Sequence, residues 1–120
     1  MAIRILVMGL PGSGKTTFTE ELIRLMASSP LDAVEWFNAD QIRKKYNDWD
    51  FSMEGRLRQS ERMRRLSAIS EKEYVIVDFI CPRIMTRDII SADYTIWMDT
   101  IDKSVYHDTD ALFEKPDNVN

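Results

Sequence analysis

Ile3-Arg4-Ile5-Leu6-Val7-Met8-Gly9-Leu10-Pro11-Gly12-Ser13-Gly14-Lys15-Thr16-Thr17 runs from an apolar stretch through a glycine-rich turn into a helical pattern. Residues 9–16 satisfy G-x-x-x-x-G-K-S/T, and they stand between a strand and a helix, where that spacing has a mechanism. The glycines let the backbone curl until several N–H groups face one point, and the helix N-terminus adds partial positive charge. Lys15 brings a mobile full charge to the β- and γ-phosphates of a nucleotide, and the Thr16 hydroxyl is offered to a Mg²⁺ ion. Gly9, Pro11, Gly12, Ser13, Gly14, Lys15, Thr16 and Thr17 are therefore the expected nucleotide-binding residues.

Outward from this loop, four short runs rich in β-branched and aromatic residues read as strands: Ile3–Met8, 34–37, 74–80 and 94–99. The first and third are almost continuously apolar, which places them centrally with both faces covered. Phe18, Leu22 and Leu25 recur at helical spacing over 15–28, with Pro30 as a stop. Further helices are expected at 41–46, at 53–69 with Ser52 as N-cap, and at 83–90. The order β-α-β-α-β-α-β implies an α/β three-layer sandwich with a parallel sheet and right-handed crossovers. One domain is expected over 1–120, with a core at 1–100 and an atypical polar tail at 101–120 that carries no further clear element. In the strand order 2-3-1-4-5, the last strand and the lid of the P-loop kinase fold are then missing.

The chain has 120 residues, 44% of them hydrophobic, enough for one buried core and too few for two domains. A net charge of −4 argues against general nucleic-acid coating, which needs a basic face, and favours a small anionic ligand. One cysteine, Cys81, excludes an internal disulfide, and one histidine, His107, leaves too few soft ligands for structural zinc. The N-terminal apolar run is too short to span a bilayer. A cytoplasmic protein with no membrane partner is the resulting expectation.

Asp78 closes the third strand run, Tyr74-Val75-Ile76-Val77-Asp78, as a Walker-B acid does. Asp40 follows the second strand near the carboxyl edge where ligands gather, and competes with Asp78 for the metal. Thr16, Asp40 and Asp78 are thus the candidate metal residues, and Lys15, Asp40 and Asp78 the catalytic ones. No N/T-K-x-D guanine-reading element is present, because Asn47-Asp48-Trp49-Asp50 lacks the lysine, which turns the reading from a GTPase toward a small kinase using ATP and Mg²⁺.

Asn38-Ala39-Asp40-Gln41-Ile42-Arg43, then Phe51-Ser52-Met53-Glu54-Gly55-Arg56 with Gln59, then Phe79-Ile80-Cys81-Pro82, resemble the adenylylsulfate kinase patterns D-G-D-N-I/V-R, F-S-x-x-D/E-R-x-x-N and S-F-I-S-P. The resemblance covers residues 3–100 and implies transfer of the γ-phosphoryl of MgATP to the ribose 3′-hydroxyl of adenylylsulfate, a step of sulfate assimilation. It makes Asp40 a metal-associated or hydroxyl-orienting acid, Arg43 and Arg56 the holders of the phosphosulfate, and Phe51 the platform for the adenine. Gln59, Ile80 and Cys81 complete the implied substrate set. Asn38, Ala39, Asp78 and Cys81 depart from the pattern, which leaves the acceptor open. The family's cationic lid has no counterpart, since no arginine follows Arg87. Slow or absent turnover is expected from that, together with self-association through an uncovered fourth strand, unless Leu112 and Phe113 fold back on it. A nucleotide-binding module without turnover is the competing reading.

On residue chemistry alone, Arg56, Arg58, Arg62, Arg64 and Arg65 read as a solvated helix face, Trp36 and Trp97 as packing residues, and Cys81 as an inert small residue.

Overall fold

The computed structural model describes residues 2–26, 33–116 and 119. Its elements are β1 (Ile3–Met8), α1 (Lys15–Met26), β2 (Val34–Asn38), α2 (Ala39–Tyr46), α3 (Met53–Ile69), β3 (Tyr74–Asp78), α4 (Ile84–Ile90), β4 (Tyr94–Trp97) and α5 (His107–Leu112). Among the described residues the strands form one parallel sheet in the order β2-β3-β1-β4. Right-handed crossovers then put α1 on one face and α3 with α4 on the other, giving three α/β layers.

Strand alternation decides which side chains reach which layer. Leu6 and Met8 of β1 and Val75 and Val77 of β3 join Met63 of α3 and Ile90 of α4 in the buried core. Asp78 falls on the opposite face, the one toward α1, and so its carboxylate can meet Thr16 at the start of that helix. Thr19 is the fully buried residue of α1, whereas Leu25 is 68% exposed. The apolar stripe read through Leu25 is therefore rotated, and the rest of the 15–28 reading, Pro30 included, lies outside the described residues.

Caps set the other boundaries. The Asn38 side chain accepts from the Gln41 N–H at 3.1 Å, so α2 begins two residues before the reading at 41. The Ser52 hydroxyl accepts from the Gly55 N–H at 3.2 Å, the cap expected there. Arg83 caps α4 instead of opening it. In the tail, α5 is an element that the sequence did not announce. It is built on Asp110, whose carboxylate accepts from the Ser104 N–H at 2.8 Å and from the Ser104 hydroxyl at 2.6 Å. Phe113 folds back onto β4 and stacks on Trp97, with ring centroids 6.4 Å apart. This fold-back of Phe113 is the one the sequence allowed for, and it covers the Trp97 side chain while β4 stays at the edge of the sheet.

The face of α3 is not uniformly solvated. Arg56 and Arg62 are only 5% and 7% exposed, because the connection 47–52 folds against the helix and supplies partners. The Asp48 carboxylate accepts from Arg58 at 2.8 and 3.0 Å and from Arg62 at 2.9 Å. These guanidinium bonds, Arg58 first, hold the Asp48 carboxyl well below its ordinary value of 3.8. A depressed folded-state pKa contributes stability at pH above the unfolded value and loses it as pH falls through the folded one. Thermal melts followed by circular dichroism should thus drop in midpoint below about pH 4, and Asp48→Asn should start lower at neutral pH and lose part of that acid slope.

Candidate functional site

The loop after β1 closes because Gly12 and Gly14 adopt left-handed backbone, at φ 82° and 97°. Gly9 is required for space instead: a Cβ there would lie 2.9 Å from the Met98 carbonyl oxygen and 2.7 Å from the Ser13 hydroxyl. Ser13 is buried beneath the loop. Its N–H donates to the Leu10 carbonyl at 3.1 Å, and its own carbonyl accepts from the Thr100 hydroxyl at 2.6 Å. Gly9 and Ser13 thus shape the loop from below, while Pro11, Gly12, Gly14, Lys15, Thr16 and Thr17 face a cavity of about 540 Å³.

Lys15 curls over the loop and donates to the Leu10 carbonyl at 2.9 Å. Burial pushes its ammonium down, and the nearby carboxylates of Asp78 and Asp40 push it back up. Asp78 is 2% exposed, and burial raises its carboxyl against the opposing pull of Asn38, Lys15, Trp36 and Thr16. The Asn38 amide donates to Asp78 at 2.9 Å and the Thr16 hydroxyl at 3.4 Å. The indole N–H of Trp36, buried and without a partner at hydrogen-bond distance among the described residues, faces the same carboxylate. Asp40, in the first turn of α2, lines the cavity from the other side.

This donor set fits a magnesium nucleotide. Its members are hard oxygen groups, the Thr16 hydroxyl with the Asp78 and Asp40 carboxylates. Among the described residues no three His, Cys, Asp or Glu side chains make a metal site by themselves, so the ion's remaining ligands would be phosphate and water oxygens.

The far wall of the same cavity carries Arg43, Phe51 and Arg56. The Arg43 guanidinium lies 4.2 Å from the centroid of the Phe51 ring and that of Arg56 lies 5.6 Å from it, while the ring stays 45% exposed. Arg56 Nε donates to the Phe51 carbonyl at 2.9 Å and Nη2 to the Thr109 hydroxyl at 3.2 Å. Ile80 reaches the cavity. Cys81 and Gln59 are fully buried behind it. The Cys81 thiol faces Thr86 at 3.4 Å, and burial pushes it up to about 12. Gln59 donates to the Ala39 carbonyl at 3.0 Å and so braces the start of α2.

Asn38, Ala39, Phe79, Pro82, Thr86 and Tyr106 also line the cavity and were given no site role from the sequence. Asn38 pairs in register with Asp78, a juxtaposition that only strand order reveals. Tyr106 comes from the tail, which Glu114 anchors by accepting from the Ile84 N–H at 3.1 Å and pairing with Arg83 at 3.0 Å. A side cavity of about 380 Å³ opens next to Thr16 and Asn38, between α1 and α2.

A family model described as chromatin associated protein KTI12 matches residues 1–81. Among solved structures, the Mycobacterium tuberculosis APS kinase CysC in complex with AMPPNP and APS aligns with a TM-score of 0.70 at 20% identity, over 92% of this chain and 67% of that one. APE1195 aligns at 0.68 and 24% identity, over 90% and 66%. Shikimate kinase from Acinetobacter baumannii in complex with shikimate aligns at 0.60 and 19% identity, over 92% and 65%. The likeness to these structures is one of fold, that of the P-loop kinases, and the chain spans under two thirds of the length of the APE1195 and shikimate kinase chains. The adenylylsulfate kinase resemblance read over residues 3–100 agrees with these structures in fold, whereas the family model that matches is a different one.

Proposed function

We propose that this chain, which belongs to the family of chromatin associated protein KTI12, binds MgATP at residues 9–17 and transfers its γ-phosphoryl group to a small nucleotide-like acceptor. One observation carries this reading. One cleft, open to solvent, runs from the phosphate loop to the cage of Arg43, Phe51 and Arg56, so donor and acceptor would lie side by side in it. Adenylylsulfate, accepting at its 3′-hydroxyl, is the acceptor that the residues at 38–43 and 51–56 favour.

In this reading the loop N–H groups and the N-terminus of α1 hold the phosphates, and Lys15 sets its charge against the transferring group. Mg²⁺, held near Thr16 and Asp78, would supply neutralisation of the phosphate oxygens. Asp40 is exposed in the cavity and orients the acceptor hydroxyl by accepting its proton in a hydrogen bond. Phe51 offers the open part of its ring to a base, and Arg43 and Arg56 face the acceptor's anionic group. A cytoplasmic location belongs to the same reading.

The second reading, nucleotide binding without turnover, draws on Arg87 of α4, which is committed to the carbonyls of Cys81, Pro82 and Glu114 and so is not free to reach a transferring phosphate. A coupled assay for ADP release, with and without adenylylsulfate, separates the two. Acceptor-dependent ADP supports transfer, and saturable ATP binding without ADP supports the module. In the same assay Phe51→Ala should raise the acceptor KM by roughly tenfold to a hundredfold, matching about 1–3 kcal/mol of base stacking, and leave ATP affinity almost unchanged. Equal losses for both ligands would assign Phe51 to packing.

A further inference from the structure

The acceptor cage stands on the connection 47–52, and two residues outside the cage determine where that connection lies. The first is Gly55, in the opening turn of α3. A Cβ at this position would lie 2.6 Å from Cγ of Asp50 and 2.7 Å from its carbonyl carbon, so the connection is seated against bare helix backbone. The second is Asp48. Its carboxylate is bonded to Arg58 and Arg62, and its carbonyl, like that of Asp50, accepts from Arg43 Nη1, at 3.0 and 3.2 Å. The Arg43 guanidinium under the Phe51 ring is therefore placed by two carbonyls whose own position is fixed by Gly55 and Asp48.

The same network reaches the phosphate side. Arg62, buried with Asp48 as its counter-ion, donates to Gln59 at 2.9 Å, and Gln59 donates to the Ala39 carbonyl, one residue before Asp40. Both ends of α2, one bearing the cage and the other the cavity carboxylate, are thus tied to α3. Position 55 is glycine where the adenylylsulfate kinase pattern has an acid, and any side chain there would move the connection away from the helix.

We infer that Gly55 and Asp48 are positioning residues that set the acceptor cage at its distance from the phosphate loop. The inference rests on the phosphotransfer reading for its choice of acceptor probe, and on the bonds of Arg43 for its geometry.

The test compares wild type with Gly55→Ala and Asp48→Asn in three measurements: the Kd of Mg-AMPPNP, the Kd of adenylylsulfate, and the hydrogen-exchange rate of the Arg43 Nη–H protons by low-temperature NMR, assigned with Arg43→Lys. Alanine is the better helix former, so Gly55→Ala alters the seat of the connection without weakening α3 itself. Expected are an AMPPNP Kd within about twofold of wild type, adenylylsulfate binding weaker by about tenfold to a hundredfold, and faster exchange at Arg43. Unchanged Arg43 exchange in both variants, or a parallel loss of AMPPNP binding, overturns the inference and leaves both residues as ordinary fold stabilisers. Should Gly55→Ala not fold, Asp48→Asn decides on the same readouts. If wild type does not bind adenylylsulfate while Arg43 exchange responds to both variants, the acceptor identity fails and the positioning role stands.

Discussion

Lys15→Ala should weaken MgATP binding by about tenfold to a hundredfold, because a charge-assisted contact contributes roughly 1.5–3 kcal/mol. Lys15 is the cationic side chain of the loop, and its reach over the Leu10 carbonyl places its ammonium against Asp78 and Asp40. The fold should survive, since the loop's shape depends on Gly9, Gly12, Gly14 and the bonds of Ser13 rather than on the lysine. With the ammonium gone, the buried Asp78 carboxyl loses one of the groups that oppose its burial, so it should titrate still higher. Calorimetry with Mg-AMPPNP is the direct measurement. An unchanged Kd would remove residues 9–17 from consideration as the nucleotide site.

Asp78→Asn should act in a different and diagnostic way, with opposite signs for the two forms of the nucleotide. The carboxylate sits at the end of β3 beside Thr16, on the phosphate side of the cavity. Removing its negative charge should leave metal-free ATP bound as well as before or better, because one repulsion of the phosphates is gone. The gain in affinity on adding Mg²⁺ should shrink, and turnover with metal should fall by about 10²–10³, the scale of losing one preorganised electrostatic group. The amide oxygen can still accept from the Asn38 side chain, so global unfolding is not the expected cause. Titrations in EDTA and in excess Mg²⁺ decide the matter. A variant with the full wild-type metal gain would transfer the metal role to Asp40.

The parts of this site that are local in sequence were legible there. Residues 9–16 name their own backbone geometry, since the glycines, the lysine and the threonine act within one turn. The parallel sheet followed from alternating elements and its order from the one usual in small P-loop kinases, while Asp78 and Asp40 were marked by their places at and just after strand ends. What sequence could not show depends on side chains brought together across the fold. Asn38 looked like a mere departure from a pattern, and only its register with Asp78 makes it the carboxylate's donor. Arg62 read as solvated because helix charges usually are, and Asp48, fourteen residues earlier, is what buries it. Cys81 and Gln59 stood within matched motifs, and the structure turns both side chains away from the cavity. The tail was read as featureless because its order comes from Ser104, Asp110 and Glu114, three polar residues whose bonds carry no hydrophobic period.

The place of β1 in the sheet also governs the order of events during synthesis. It precedes β2, β3 and β4 in the chain, yet among the described residues it pairs only with β3 and β4. At ~5–20 residues per second, Ile3 to Val7 remain without partners for roughly 3–15 s until residues 74–78 emerge. An apolar strand waiting that long for distant partners makes folding slow and exposes the nascent chain to aggregation. The phosphate loop, although encoded first, is finished late, because Gly9 rests against Met98 and the Ser13 carbonyl is held by Thr100. A nucleotide bound at this loop would therefore not act as a template for residues 1–40, and it would stabilise the protein only after translation has passed Thr100.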